Sequence, residues 1–254
     1  MRIILDTTKT VAQNAAIYFE KGKKAKRKIT GAKQACEKAL KGLEKVAKTK
    51  KKEVIKIKRK NEWYEKFRWF YSSDNILCIG GRDATTNDIL VKKHIEKDDL
   101  IFHTEIAGSP FFIVKGNNKN TIQEAAIATA SFSRAWKNKI ATTDVYYIKP
   151  DQIKKELGLP KGTFMIYGKR NYLKPVIELA IGLYQNKAMC GPTESIKKHC
   201  KNYLIIKQGY TKKSDIAKKV RYFIKEKENI EIPLDEIMQA LPPGDCDISK
   251  KKPF

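Results

Sequence analysis

Lys169, Arg170, Asn171 and Tyr172 follow Gly168 in one unbroken run, two cations beside an amide and a phenol. Cations neutralise phosphate oxygens, while amides and planar rings meet the edges and faces of bases, so this run suits a nucleic acid. The residues around it read as two strands, Thr163 to Tyr167 and Val176 to Leu183, whose connecting turn would hold both cations outward. Arg82, after Gly80 and Gly81, and Lys92 and Lys93, at the end of an expected helix, form a second basic group. Arg82 has another reading, in which it pairs with Asp83 or Glu105. Trp69 and His103 carry rings that could stack on bases, although a ring in a strand more often fills a core. Lys50, Lys51 and Lys52 add a third group, in the stretch AKTKKKE.

Catalysis finds no comparable set of residues. The three histidines, His94, His103 and His199, stand at no metal-ligand spacing from one another or from a cysteine pair. Neither H-E-x-x-H nor G-x-S-x-G occurs, and the stretch from Gly158 to Thr163 has the wrong order to be a phosphate-cradling loop. Carboxylates such as Asp83 and Glu105 are plentiful, yet nothing in the sequence pairs them for acid-base work. The expectation is a binding protein with no catalytic residue, no metal site and no cofactor. Cys36, Cys78, Cys190, Cys200 and Cys246 are scattered without a C-x-x-C pair, as in a reducing compartment.

The elements that must position these groups fall into three stretches. Residues 1–62 read as a helical arm, opened by Asp6, Thr7 and Thr8 as caps, with Val11, Ala15, Tyr18 and Phe19 on one face. After Gly22 a second helix is expected, carrying Ile29, Ala32, Cys36, Ala39, Leu43 and Val46 at three- and four-residue steps, a thin coiled-coil seam. The seam stops at Val46 and resumes out of phase at Val54 and Ile57, which suits either a helical hairpin with its tip near residues 48–52 or one continuous helix.

Residues 63–190 change texture, to aromatic and β-branched runs between turn residues. Strands are expected at 67–71, 76–79, 100–104, 111–115 and 144–148, besides the two already named. Thr85 or Thr86 should cap one helix, and Thr121 to Glu124 reads as a capping box opening another, whose stripe includes Ile122, Ala126, Phe132 and Trp136. The tail, 191–254, reads as a small α/β appendage with helices after Pro192, from Ser214 and from Leu234, and a strand at 203–207. The expected class is therefore α+β, a helical coiled-coil arm followed by a mostly antiparallel sheet with packed helices.

Charge points to the partner. Of 254 residues 53 are Lys or Arg and 28 Asp or Glu, a formal charge of +25 that disfavours the compact state unless a polyanion offsets it. Residues 1–60 hold 20 of the cations and 5 of the acids, too few acids for the i,i+4 pairs that usually support a solvated helix. No run of roughly 18 apolar residues could span a membrane, and the first residues lack the pattern of a signal peptide. A soluble, cytoplasmic protein with no membrane partner is expected.

The stretches KFRWFYSSDNILCIGGRDATTNDILVKKHI, DDLIFHTEIAGSPFFIVK, SFSRAW and GTFMIYGKRNYL, in this order, resemble the NFACT-R domain over roughly residues 63–185. That domain is the RNA-binding module of the NFACT family, which includes ribosome quality-control factors and bacterial fibronectin-binding-protein-A-like proteins. LDTTKTVAQNAAIYFEKGKKAKRK resembles the family segment leading into a coiled coil. The resemblance implies contact with ribosomal RNA of the large subunit and with tRNA, and an N-terminal NFACT domain supplied in cis or in trans, since this chain contains none. The other reading is a stand-alone RNA-binding accessory in RNA modification or processing.

Overall fold

The computed structural model describes residues 3–48, 62–106 and 108–249, in two compact units that are taken separately below. The first is helix α1, Val11–Lys48, which runs for 38 residues without a break. Thr10 starts it: the Gln13 amide donates to the Thr10 hydroxyl at 3.3 Å and the Thr10 amide donates to Gln13 Oε1 at 2.9 Å. The expected start at Asp6 is corrected, because the Asp6 carboxylate accepts from the Thr8 amide and hydroxyl in a local turn. Buried Asn14 donates to the carbonyls of Asp6, Lys9 and Thr10, and the Tyr18 hydroxyl bonds Ile4, which ties residues 4–10 to the first turns.

The expected break after Gly22 is absent. One glycine costs about 1 kcal/mol in a helix interior, a cost that the surrounding Ala and Lys residues, good helix formers, can offset. Ile29, Ala32, Cys36 and Ala39 are exposed, so the coiled-coil pairing that the seam predicts is not seen among the described residues. The expected tip beyond Lys48, with Lys50, Lys51 and Lys52, lies outside them.

The second unit opens with β1 (Arg68–Tyr71) and β2 (Leu77–Gly80), the expected hairpin, in which Arg68 faces Gly80 and Tyr71 faces Leu77. Helix α2 (Ala84–Lys93) is capped by Asp83 and not by Thr85 or Thr86; Asp83 Oδ1 accepts from the Thr86 amide at 2.8 Å, and the Thr86 hydroxyl accepts from the Asp83 amide in return. β3 (Leu100–Thr104) and β4 (Phe112–Val114) follow. Helix α3 (Lys119–Ser131) begins two residues before Thr121, which corrects the expected capping box. The Thr121 hydroxyl donates instead to Asp74 at 2.9 Å, and Glu124 accepts from the Ser73 amide at 2.8 Å, so both side chains lock the β1–β2 turn. The apolar stripe is also split: α3 stops, and Ser133 caps a separate α4 (Arg134–Lys137) by accepting from the Ala135 amide.

Beyond α4 come β5 (Val145–Ile148), β6 (Ile153–Lys154), β7 (Met165–Ile166), β8 (Asn171–Leu173), β9 (Leu179–Tyr184) and β10 (Lys187–Gly191). Then α5 (Thr193–His199), β11 (Tyr203–Gln208), α6 (Lys213–Glu228), α7 (Leu234–Ala240) and β12 (Cys246–Ile248) complete the described elements. Helix α6 opens at Lys213, which leaves Ser214 inside it and not at the cap. The architecture is α+β and antiparallel. Six strands pair in the order β1-β2-β4-β3-β5-β8, four in the order β10-β9-β11-β12, and β6 pairs with β7.

One apolar core serves both larger sheets, joining Phe70, Phe112 and Trp136 to Leu179, Met189, Ile206 and Val220. A division after residue 190 would run through the four-stranded sheet, which takes β9 from one side and β11 from the other. Where β10 meets β1, Gly191 lies so close that a Cβ would stand 3.0 Å from Phe70.

Trp136 is fully buried, and its indole N–H donates to the Asp245 carbonyl at 3.1 Å, fixing the C-terminal segment against α4. Trp136→Ala is expected to cost about 3–5 kcal/mol, and Trp136→Phe less, because it keeps most of the ring and gives up one hydrogen bond. Urea midpoints of the two variants and the parent check the order; equal midpoints would contradict this packing.

Candidate nucleic-acid interface

The run from Lys169 to Tyr172 is not a turn between paired strands. β7 pairs with β6, and β9 lies in the four-stranded sheet. Asn171 and Tyr172 themselves form β8, the edge of the six-stranded sheet, where Tyr172 faces Tyr146 and Asn171 faces Tyr147. Gly168 takes φ +75°, and Gln152 Nε2 donates to the carbonyls of Tyr167 and Lys169, which fixes the approach to this edge. Lys169 and Asn171 are exposed, and Tyr172 is 53% exposed. Arg170 pairs with Glu105 at 2.6 Å and lies 4.8 Å over the Tyr146 ring, while the Tyr172 hydroxyl donates to the same Glu105 oxygen at 3.0 Å. The edge thus presents one local ion pair and rings beside the open cation Lys169.

Of the other expected residues, Arg82 and His103 line one cleft with Arg170, while Trp69, Lys92 and Lys93 lie elsewhere. The Arg82 guanidinium turns into the protein, donating to Gln239 at 2.6 Å and to the carbonyls of Glu65 and Phe67 at 3.2 and 2.9 Å. It hydrogen-bonds neither Asp83, whose carboxylate is used in the α2 cap, nor Glu105, whose partners are Arg170 and Tyr172. Trp69 is a core residue, 8% exposed, in edge contact with Tyr64, Tyr71 and Tyr184. Lys92 pairs with Asp88 at 3.0 Å, and Lys93 is exposed in the last turn of α2.

His103 reaches a cleft that the sequence did not suggest. Its ring stacks on Phe111 at 4.2 Å, tilted 25°, and its Nδ1 lies 3.3 Å from the Tyr146 hydroxyl. Burial pulls its pKa down to about 4, so at neutral pH it is an uncharged aromatic. The cleft, about 580 Å³, is bounded by His103, Tyr146, Phe164, Arg170, Lys161 and the turn from Gly81 to Asp83. Lys161 does not stand out in the sequence, because the stretch 158–163 matches no phosphate loop, and Phe164 and Arg68, another lining residue, read as ordinary strand residues. A signal was present in Gly162. Its φ is +75°, its amide donates to Asp88 at 2.8 Å, and a Cβ there would fall 2.6 Å from the Ala84 Cα. Only glycine lets this segment close against α2 and form a wall.

The five cysteines are free, and all but Cys36 are buried. Among the described residues no three His, Cys, Asp or Glu converge as a metal ion would require, and no helix is long and apolar enough to cross a membrane.

His103 makes stability depend on pH. Its folded pKa lies below the ordinary 6.5, so between about pH 6.5 and about pH 4 the unfolded chain takes up a proton that the folded chain refuses, and stability falls as pH falls. His103→Gln removes that dependence. Urea midpoints at pH 7 and pH 4.5 should drop further in the parent than in the variant, and equal drops would contradict a buried, neutral His103.

Residues 66–168 match the family model described as the NFACT protein RNA binding domain. The chain is 35% identical over 209 residues to the archaeal Rqc2 homolog aRqcH of Methanocaldococcus jannaschii, covering 77% of this chain and 31% of that one. It is 37% identical over 184 residues to the ribosome quality control complex subunit NEMF homolog of Drosophila melanogaster, covering 67% and 18%. Ribosome quality control complex subunit 2 of Schizosaccharomyces pombe is 32% identical over 191 residues, covering 68% and 18%. The chain therefore spans under a third of the length of these relatives. It belongs to the NFACT family and carries the RNA-binding domain of that family.

Proposed function

We infer that this chain is an RNA-binding module of ribosome-associated quality control, contacting large-subunit ribosomal RNA and tRNA on stalled ribosomes. The observation that carries this reading is the pairing of an NFACT RNA-binding domain with a helix whose charge is one-sided. Helix α1 bears eleven Lys and Arg against three Glu, so it cannot neutralise itself, and phosphates would release counterions on replacing its ion atmosphere. Three of the relatives above carry names from this pathway, as Rqc2 homologue or quality-control subunit, which favours the ribosome over other RNAs. The module works by binding and not by catalysis, in the cytoplasm, without metal or cofactor, with an N-terminal NFACT domain joined in cis or met in trans. In this reading residues 1–62 supply general affinity for phosphate. Residues 63–190, with Lys169 to Tyr172, Lys92 and Lys93, dock on particular RNA features, and residues 191–254 complete their support.

Crosslinking in a native extract, followed by sequencing of the attached RNA, tests the reading. Large-subunit ribosomal RNA and tRNA should dominate; messenger or small regulatory RNA alone would contradict it. The role of α1 has its own test, the replacement of Lys23, Lys24, Lys26, Arg27 and Lys28 by Gln. Helix content by circular dichroism should hold, while the slope of log affinity against log salt for duplex RNA falls by about 0.7 to 0.9 for each phosphate that is no longer neutralised. An unchanged slope would remove α1 from the interface.

A further inference from the structure

Two cavities share the wall formed by Arg68 and Arg82, and their linings differ in charge. One, about 480 Å³, sets Lys66, Arg68, Arg82 and Lys187 against Glu62, Glu65 and Glu236. It is close to neutral, and Lys187 pairs inside it with Glu65 at 3.3 Å and Glu236 at 3.7 Å. The other is the cleft beside His103. It sets Arg68, Arg82, Lys161 and Arg170 against the single carboxylate of Asp83, which is already engaged by Thr86. Arg170 is also paired with Glu105, outside the lining, and Arg68 and Arg82 bond neutral oxygens of Leu241, Glu65, Phe67 and Gln239, so the cleft keeps a positive excess in which the exposed Lys161 is the cation most open to an anion.

The same cleft is walled by rings. His103 stacks on Phe111, Phe164 meets Phe111 edge-on at 5.4 Å, and the Arg170 guanidinium covers the Tyr146 ring. A volume of about 580 Å³ falls within the ~300–1,000 Å³ of small-molecule sites. It is far too small for a duplex, whose bases are in any case stacked and paired. Rings and guanidinium planes are what an unstacked base rests on, and cations beside them meet its phosphate.

We propose that this cleft receives one unstacked nucleotide of single-stranded RNA, its base against the rings of His103 and Phe164 and its phosphate at Lys161 and Arg170. The inference rests on the RNA-binding reading above and names where the compact unit tells a single strand from a duplex. Lys161 is exposed and Arg170 half-buried, whereas Phe164 is buried, so in this arrangement the base enters first and the backbone stays outside. Between residues 11 and 40 the side chains of α1 are exposed apart from Asn14 and Ile17, so its contacts with a single strand or a duplex are of one electrostatic kind.

The test uses the intact chain with two probes, a single-stranded RNA pentamer carrying 4-thiouridine at its centre and a blunt RNA duplex of matching composition. Irradiation followed by peptide mass spectrometry should place the pentamer crosslink within residues 103–111 or 161–170. His103→Ala should weaken the pentamer about 5- to 150-fold, the range for removing one base stack, and weaken it far more than the duplex. Lys161→Ala, at an exposed position, should lower the pentamer salt slope by about 0.7. This second variant keeps the test decisive if His103→Ala fails to fold. Crosslinks confined to α1, or variants that bind the pentamer like the parent while the duplex still binds, would overturn the cleft and leave the RNA-binding reading standing. No binding of either probe would overturn both.

Discussion

A cation held by a carbonyl oxygen recurs throughout the compact unit. Arg82 donates to the carbonyls of Glu65 and Phe67, and Arg68 and Lys213 converge on that of Leu241 at 3.2 and 3.0 Å. Lys155 donates to those of Pro160 and Thr163, and Lys115 to that of His94. With 53 Lys and Arg and only 28 Asp and Glu, carboxylates cannot serve every buried or half-buried cation, so turns and helix ends supply oxygens beside them, as at Lys115 and Lys155, or in their place, as at Arg68, Arg82 and Lys213. Burial without a countercharge has a visible effect: the pKa of Lys213 falls to about 8 and that of Arg68 to about 10, chiefly by desolvation. A carbonyl satisfies the donor without cancelling its charge, so the positive field survives folding and remains available to phosphate.

These same bonds shape the cleft. Arg82 pins the chain after β2 to the segment entering β1 and to α7, which fixes the Gly81–Asp83 wall. Lys155 bonds two carbonyls of the 160–163 loop, and Asp88 of α2 receives the Gly162 amide, which fixes the facing wall. Carboxylates appear where orientation matters most. Glu105 receives both Arg170 and Tyr172, holding the guanidinium over Tyr146 at the edge of the sheet. Fold and binding surface therefore draw on one scarce resource, the acidic side chain, and its placement decides which cations stay open.

What could be read from the sequence was local. The β1–β2 hairpin, β3, β5 and β11 appear where expected, because aromatic and β-branched runs between turn residues report on their own backbone. Misreadings came where a side chain serves a distant partner. Thr121 and Glu124 have the spacing of a cap but bond Asp74 and Ser73, and Arg82 sits beside Asp83 but reaches Gln239. β8 is short, polar and exposed, so nothing in Asn171-Tyr172-Leu173 announces a strand; its pairing with β5 makes it one. The cleft escaped notice for the same reason, since its rings come from β3, β5 and two loops that meet only in the folded chain.

The most direct test of the account is the affinity of the intact chain for single-stranded and duplex RNA of equal length, measured as salt rises. Charge that folding leaves unneutralised should make both affinities fall linearly in log salt, because phosphate contacts release counterions. Stacking in the cleft is insensitive to screening, so at about 1 M salt, where screening reaches only ~3 Å, the single strand should stay measurably bound and the duplex should not. Affinities that ignore salt, or residual binding at high salt that is equal for the two RNAs, would contradict the account.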